Sequence, residues 1–232
     1  DTARAYDNES DVGRAVKDSE TGRKELFITT KLWNKHQGYD EAIEACEKSL
    51  ARLDCDYIDL YLIHWPLKGK RNDSWKALIE LQQRGLCRSI GVSNFTIDNL
   101  VELEEKFGIL PVANQVEFHP YYYQKELLEY CNSKNIVIEA YSPLVHAKRM
   151  DEPRLVSISE EMGKTPAQIL IRWAMQRGMV VLPKSVNEGR IIENFSVFDF
   201  EISDSLMKRL DDLNESFVTC WDPHNPPSYA PV

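Results

Sequence analysis

The chain has 232 residues, 43% of them hydrophobic, and a formal net charge of −9. That size and apolar content suit one α/β domain spanning 1–232 with a sizeable core. The acidity argues against a phosphate-neutralising nucleic-acid binder and against docking on an anionic membrane. No apolar run reaches the length of a membrane-spanning helix, and the polar first residues carry no secretory signal. The five cysteines are scattered, with no CxxC, and the histidines form no HExxH or HxH pair. Reduced thiols in a cytoplasmic protein without a metal site are expected.

In chain order, six near-continuous apolar runs read as strands covered on both faces. They are "ELFITTK" (25–31), "YIDLYLIH" (57–64), "SIGVSN" (89–94), "ANQVEF" (113–118), "IVIEAYS" (136–142) and "VVLPKS" (180–185). Amphipathic helices lie between them. In "YDEAIEACEKSLARL", Ile43, Cys46, Leu50 and Leu53 recur at spacings of three and four. "DSWKALIELQQRG" stops at Gly85, and "TIDNLVELEEKFG" runs from a Thr96 cap to Gly108. "TPAQILIRWAMQRG" has Thr165 at the cap, Pro166 in the first turn and Gly178 past the end. No repeat or linker marks a second domain.

Strand–helix alternation means parallel βαβ units, leaving a doubly wound sheet or a (β/α)8 barrel. No GxGxxG occurs, which disfavours the dinucleotide-binding doubly wound fold. "MGKT" (162–165) resembles a P-loop end, but Ile158 stands where the first Gly belongs, so it reads as a turn and a cap. The strands also end in polar groups: Lys31, His64, Ser93 with Asn94, Gln115 with Glu117, Tyr141 with Ser142, and Lys184 with Ser185. Strand C-termini are where barrel enzymes place their chemistry. Polar strand ends also arise simply where strands meet water. That accounts poorly for Lys31 and His64, which are followed by Leu32–Trp33 and Trp65.

Seven motifs in one order then identify a relationship. "DTARAYDNE", "TTKLW", "IHWP", "GVSNF", "NQVEFHP", "AYSPL" and "LPKSVNEGRIIEN" resemble the aldo-keto reductase family from residue 1 to about Asn194, most closely its short-loop, bacterial and protozoan branch. The resemblance implies a (β/α)8 TIM barrel, here lacking an N-terminal hairpin, the first strand–helix unit and most of the second strand. A longer functional protein is therefore expected. It also implies a monomer that uses NADPH/NADP+ to reduce small-molecule carbonyl compounds to alcohols.

Four residues match the family's catalytic tetrad: Asp1, Tyr6, Lys31 and His64. The chemistry needs such a set. Hydride addition to a carbonyl leaves an alkoxide that must be protonated. An ordinary tyrosine, with a pKa of about 10, needs a neighbouring cation to do this near neutral pH. Lys31 would supply the cation, Asp1 would hold it, and His64 would align the carbonyl.

The same resemblance assigns Ser93, Asn94 and Gln115 to the nicotinamide carboxamide and Tyr141 to stacking on its ring. Ser142 and Leu144 match pyrophosphate contacts. Lys184, Ser185 and Arg190 match a 2′-phosphate cluster, and Glu193 and Asn194 match adenine contacts. A Lys and an Arg in an acidic chain suit a phosphate monoester. Trp33, Trp65 and Trp221 are candidate substrate walls, although Trp65 and Trp221 equally suit ordinary packing; His119 reads as structural. Two other readings stay open: a catalytically silent NADP-binding regulatory or structural protein on the same barrel, and a Schiff-base aldolase using Lys31.

Overall fold

A computed structural model describes residues 1–220. Trp221 and the rest of the C-terminal tail lie outside the described residues. The chain falls into two compact units, Asp1–Asn114 and Gln115–Asp222.

The first unit begins with an irregular segment that leads into helix α1 (Glu9–Asp18). Strand β1 (Thr29–Leu32), α2 (Asp40–Leu53), β2 (Ile58–Ile63), α3 (Arg71–Gln83), β3 (Cys87–Ser93) and α4 (Ile97–Phe107) follow, and the unit ends within β4 (Ala113–Glu117). The two inter-strand pairings β1–β2 and β2–β3 are parallel, with Lys31 opposite Leu62 and Leu62 opposite Gly91. Strands β1 and β2 are buried along their whole length, as a two-faced parallel sheet requires. Gly91 is needed where it stands. A Cβ there would lie 2.8 Å from the Ala113 carbonyl oxygen and 2.7 Å from Leu62. Thr96 and Asn99 form a reciprocal capping box at the start of α4, and Gly108 ends the helix in the left-handed region at φ 63°.

The second unit continues from β4 with α5 (Lys125–Ser133), β5 (Val137–Tyr141), α6 (Pro153–Met162), α7 (Pro166–Gln176), β6 (Val180–Leu182), α8 (Glu188–Phe195) and α9 (Asp204–Asp211). The "MGKT" stretch is a turn and a cap: Gly163 closes α6 at φ 61°, and Thr165 caps α7 in a second capping box. Strands β5 and β6 pair in parallel, with Tyr141 opposite Leu182.

Strands β1 to β6 are hydrogen-bonded in chain order, the order of consecutive strands in a (β/α)8 barrel. The fold class is thus the one expected, with six strands. Among the described residues no helix is long and apolar enough to cross a membrane.

Two strands are shorter than their apolar runs. β1 starts only at Thr29 because the carboxylate of Asp59 takes the Ile28 amide (2.9 Å) and leaves Phe27 facing solvent. β6 stops at Leu182 because Pro183 has no N–H for the ladder. β6 is also only partly covered, contrary to the two-faced burial expected of it. Five helices, α1, α5, α6, α8 and α9, add to the four that the periodicity points to.

Candidate active site

In the first unit the four tetrad positions converge around the end of β1. Lys31 is completely buried, an environment a lysine occupies only when its ammonium is well partnered. Its Nζ donates to Asp1 Oδ1 (2.7 Å), to the Thr2 carbonyl (2.9 Å) and to the Tyr6 hydroxyl (3.5 Å). The same ammonium lies 4.9 Å from the centre of the Tyr6 ring.

The local chain explains the convergence. Thr2 N donates to the Thr29 carbonyl (2.8 Å), and Thr2 Oγ1 donates to Asn8 Oδ1 (2.6 Å). Between those anchors Arg4–Tyr6 forms one tight helical turn, and Asp7 reverses the chain at φ 53°. Tyr6 remains 51% exposed, so its hydroxyl meets the buried ammonium while the ring stays open to a ligand.

His64 follows β2 directly, with its backbone N–H on the Leu32 carbonyl (3.1 Å). Its ring meets Tyr6 edge-on at 5.8 Å and Trp33 at 5.1 Å. Burial, and secondarily the Lys31 charge, hold the imidazole pKa well below its ordinary range. It is therefore neutral at neutral pH, with one N–H to donate. Its buried Nδ1 has no hydrogen-bond partner among the described residues.

Asn94 sits beside it in the left-handed region at φ 62° and donates to the His64 carbonyl (3.0 Å) and to Ser93 Oγ (3.1 Å). Trp33 and Trp65 are buried against each other, with Ala5 packed on the pair. Gln37 fixes this corner by donating to the Trp65 carbonyl (2.7 Å). All the first-unit candidates, Asp1, Tyr6, Lys31, Trp33, His64, Trp65, Ser93 and Asn94, are thus tied into one neighbourhood.

The second unit places its candidates in three groups. Gln115 on β4 is buried and donates to Glu139 Oε2 on β5 (2.8 Å); half-buried Tyr141 ends the same strand. Ser142 and Leu144 occupy the loop that follows. Ser142 is at φ 50°, with its hydroxyl 3.0 Å from His146 Nε2. Val145, His146 and Ala147 are also left-handed, a run rare for residues with side chains. Lys184 and Ser185 leave β6, and Arg190, Glu193 and Asn194 lie on α8. Ser185 Oγ accepts the Asn187 amide (3.1 Å), and Asn187 caps α8. Among the described residues neither Lys184 nor Arg190 forms an ion pair. His119 is fully buried on Glu117 (3.1 Å), the structural placement expected of it.

Three supporting groups carry no role in the motif reading. Glu139 fixes Gln115, and an acidic residue inside the apolar run "IVIEAYS" was the visible signal. Glu117 holds the segment before the tail, accepting from the amides of Thr219 (2.8 Å) and Cys220 (3.0 Å). The Thr2 carbonyl on Lys31 is a backbone group and leaves no trace in composition.

The model of the aldo/keto reductase family matches residues 1–215. Glyoxal reductase of Bacillus subtilis (strain 168) is 50% identical over 215 residues, covering 93% of this chain and 78% of that protein. Among solved structures, the aldo-keto reductase MGS-M4 from a Medee basin deep-sea metagenome library superimposes with a TM-score of 0.94 at 42% identity, covering 97% of this chain and 85% of that one. An aldo-keto reductase of Bombyx mori in complex with NADP gives a TM-score of 0.87 at 35% identity, covering 94% of this chain and 78% of that one. Motif order, strand order and these matches agree, and the chain belongs to the aldo/keto reductase family.

Proposed function

We propose that this NADP-dependent oxidoreductase reduces aldehydes and ketones to alcohols, with Tyr6 as the proton donor. The observation that carries the reading is the buried Lys31 ammonium between the Asp1 carboxylate and the Tyr6 hydroxyl. When bound, NADPH supplies the hydride.

The residues of the chain do the rest. Neutral His64 donates a hydrogen bond to the carbonyl oxygen and fixes its direction. Tyr6 gives its proton to the developing alkoxide. The adjacent ammonium stabilises the phenolate that remains, because opposite charge favours the ionised form. Asp1 holds that ammonium in place and balances its charge in a buried setting. The Schiff-base reading fits less well, since an ammonium engaged by three acceptors is not a free amine nucleophile.

The cofactor assignments draw support separately in each unit. In the first, Ser93 and Asn94 offer polar side chains beside His64. In the second, Glu139 orients the Gln115 amide for a carboxamide, and Tyr141 presents a half-buried ring. Ser142 and Leu144 offer a loop for the pyrophosphate. Lys184 and Arg190, cations without ion pairs among the described residues, with Ser185 between them, suit the 2′-phosphate; Glu193 and Asn194 follow on α8 for the adenine. The Bombyx mori relative was solved with NADP.

Trp33, edge-on to His64, is the substrate wall we favour. The connection between β2 and α3 is short, which supports an open site of broad specificity like that of the short-loop branch. Small aldehydes and dicarbonyls are the first substrates to test, given the name of the Bacillus subtilis relative. The test is loss of NADPH absorbance with an aromatic aldehyde. Turnover that disappears in Tyr6→Phe, with NADPH binding kept, supports the reading; undiminished turnover in Tyr6→Phe overturns it. Cofactor binding without turnover of any carbonyl would instead favour the silent NADP-binding protein.

A further inference from the structure

Helix α1 begins three residues after Tyr6, and it docks in an unusual way. A surface helix ordinarily buries an apolar stripe. In α1 the buried residues are Glu9 and Gly13, a carboxylate and a glycine one turn later. Gly13 permits close approach to the end of α2: a Cβ there would lie 2.5 Å from the Leu53 carbonyl oxygen. Glu9 supplies the bonds. Its Oε1 accepts from Thr30 Oγ1 (2.6 Å), and its Oε2 accepts from Arg52 Nε (2.6 Å). Arg52 is itself steadied by Ser49 Oγ (3.1 Å). The other ion pairs of α1, Arg14–Asp11 and Lys17–Asp54, are exposed and contribute little.

Thr30 precedes Lys31 on β1. Successive side chains of a strand point to opposite faces. Glu9 therefore grips β1 from behind the lysine whose ammonium meets Tyr6 on the other side. The Asp1–Asn8 segment is fixed at one end by Thr2 on Thr29. At the other end it is fixed by α1, and α1 by Glu9.

We propose that Glu9, bridging Thr30 and Arg52, is a positioning residue that sets the Tyr6 hydroxyl against the Lys31 ammonium. The proposal rests on the reading of Tyr6 as proton donor. Loosening α1 lets the Tyr6 turn drift, and misplacement by about 1 Å costs on the order of 100-fold in rate. The loss falls on the chemical step, so kcat drops while substrate KM and NADPH affinity hold.

The test uses Glu9→Gln and Thr30→Val in the full chain. Thr30→Val removes one hydrogen bond, keeps the Arg52 ion pair, and serves where Glu9→Gln fails to fold. The readout is kcat per NADPH-binding site, with sites titrated by nicotinamide fluorescence, together with the solvent deuterium isotope effect. The expected result is a fall of about 10- to 100-fold in kcat per site for Glu9→Gln and a smaller fall for Thr30→Val. KM should stay within about 2-fold, and the isotope effect should rise as proton delivery becomes more rate-limiting. Unchanged kcat per site in folded variants, or a loss of turnover matched by an equal loss of binding sites, overturns the proposal. Tyr6→Phe run in parallel separates the two claims. If Tyr6→Phe is inactive and both other variants are normal per site, the positioning role alone fails. If Tyr6→Phe turns over normally, the reading beneath it fails.

Discussion

The two units present their candidate residues in opposite states. In the first, Lys31 is fully buried and engaged by three acceptors, and His64 is buried and neutral. In the second, Lys184 and Arg190 are exposed and make no ion pair among the described residues, while Ser185 serves a local turn. Under the proposed function, the contrast separates groups that act from groups that bind. Chemistry needs a proton donor set against its cation before substrate arrives, because reorganisation at the moment of reaction adds to the barrier. A phosphate-binding cation gains from staying hydrated and unpaired until the anion displaces water. Gln115, buried on Glu139, lies between these extremes.

Substitutions that break the contrast should differ in kind as well as in size. Tyr6→Phe removes the proposed proton donor and should lower kcat about 10²- to 10⁴-fold, with NADPH affinity unchanged by fluorescence titration. Asp1→Ala strips a buried ammonium of its carboxylate. Breaking a buried pair costs about 3–5 kcal/mol, and because Asp1 keeps 22% of its side chain exposed the lower end is expected, read by urea denaturation. Arg190→Ala should raise the NADPH KM about 10-fold, the worth of one charge-assisted contact. It should leave kcat and the KM for NADH unchanged; a large fall in kcat instead would blur the division between the units.

The smallest effect concerns pH. The folded state lowers the His64 pKa, through burial first and Lys31 second. Below about pH 6.5 the unfolded chain takes up a proton that the folded chain refuses. The stability contributed by neutral His64 is therefore present above that pH and is lost as pH falls below it. His64→Gln should flatten this part of the stability–pH curve, measured by thermal melts.

Much of this was legible in the sequence, for reasons visible in particular residues. Buried parallel strands tend to be continuous apolar runs, so β2 stands out, with Asp59 its one polar residue; β4 is equally buried yet carries Asn114, Gln115 and Glu117. Caps with hydroxyls and glycines, as at Thr96, Thr165 and Gly108, mark helix ends because few residues suit those positions. Helix α1 was not legible, since its fully buried residues are Glu9 and Gly13 and its apolar signal is confined to the half-buried Val12 and Val16. The start of β1 was hidden because a side chain from another strand, Asp59, takes the Ile28 amide. The four tetrad positions follow from motif order, whereas the contacts around β1 do not: the Thr2 carbonyl on Lys31 and Glu9 on Thr30 act through tertiary contacts that no local pattern encodes.

The central claim is that the Lys31 ammonium drives proton delivery by Tyr6. Its most direct test is Lys31→Met, which keeps the buried stem and removes the charge, assayed for NADPH-dependent aldehyde reduction alongside NADPH affinity. The account predicts a loss of kcat about as large as that of Tyr6→Phe, on the order of 10²-fold or more, with cofactor affinity retained. Turnover at the unsubstituted rate in a folded, NADPH-binding Lys31→Met protein would contradict it.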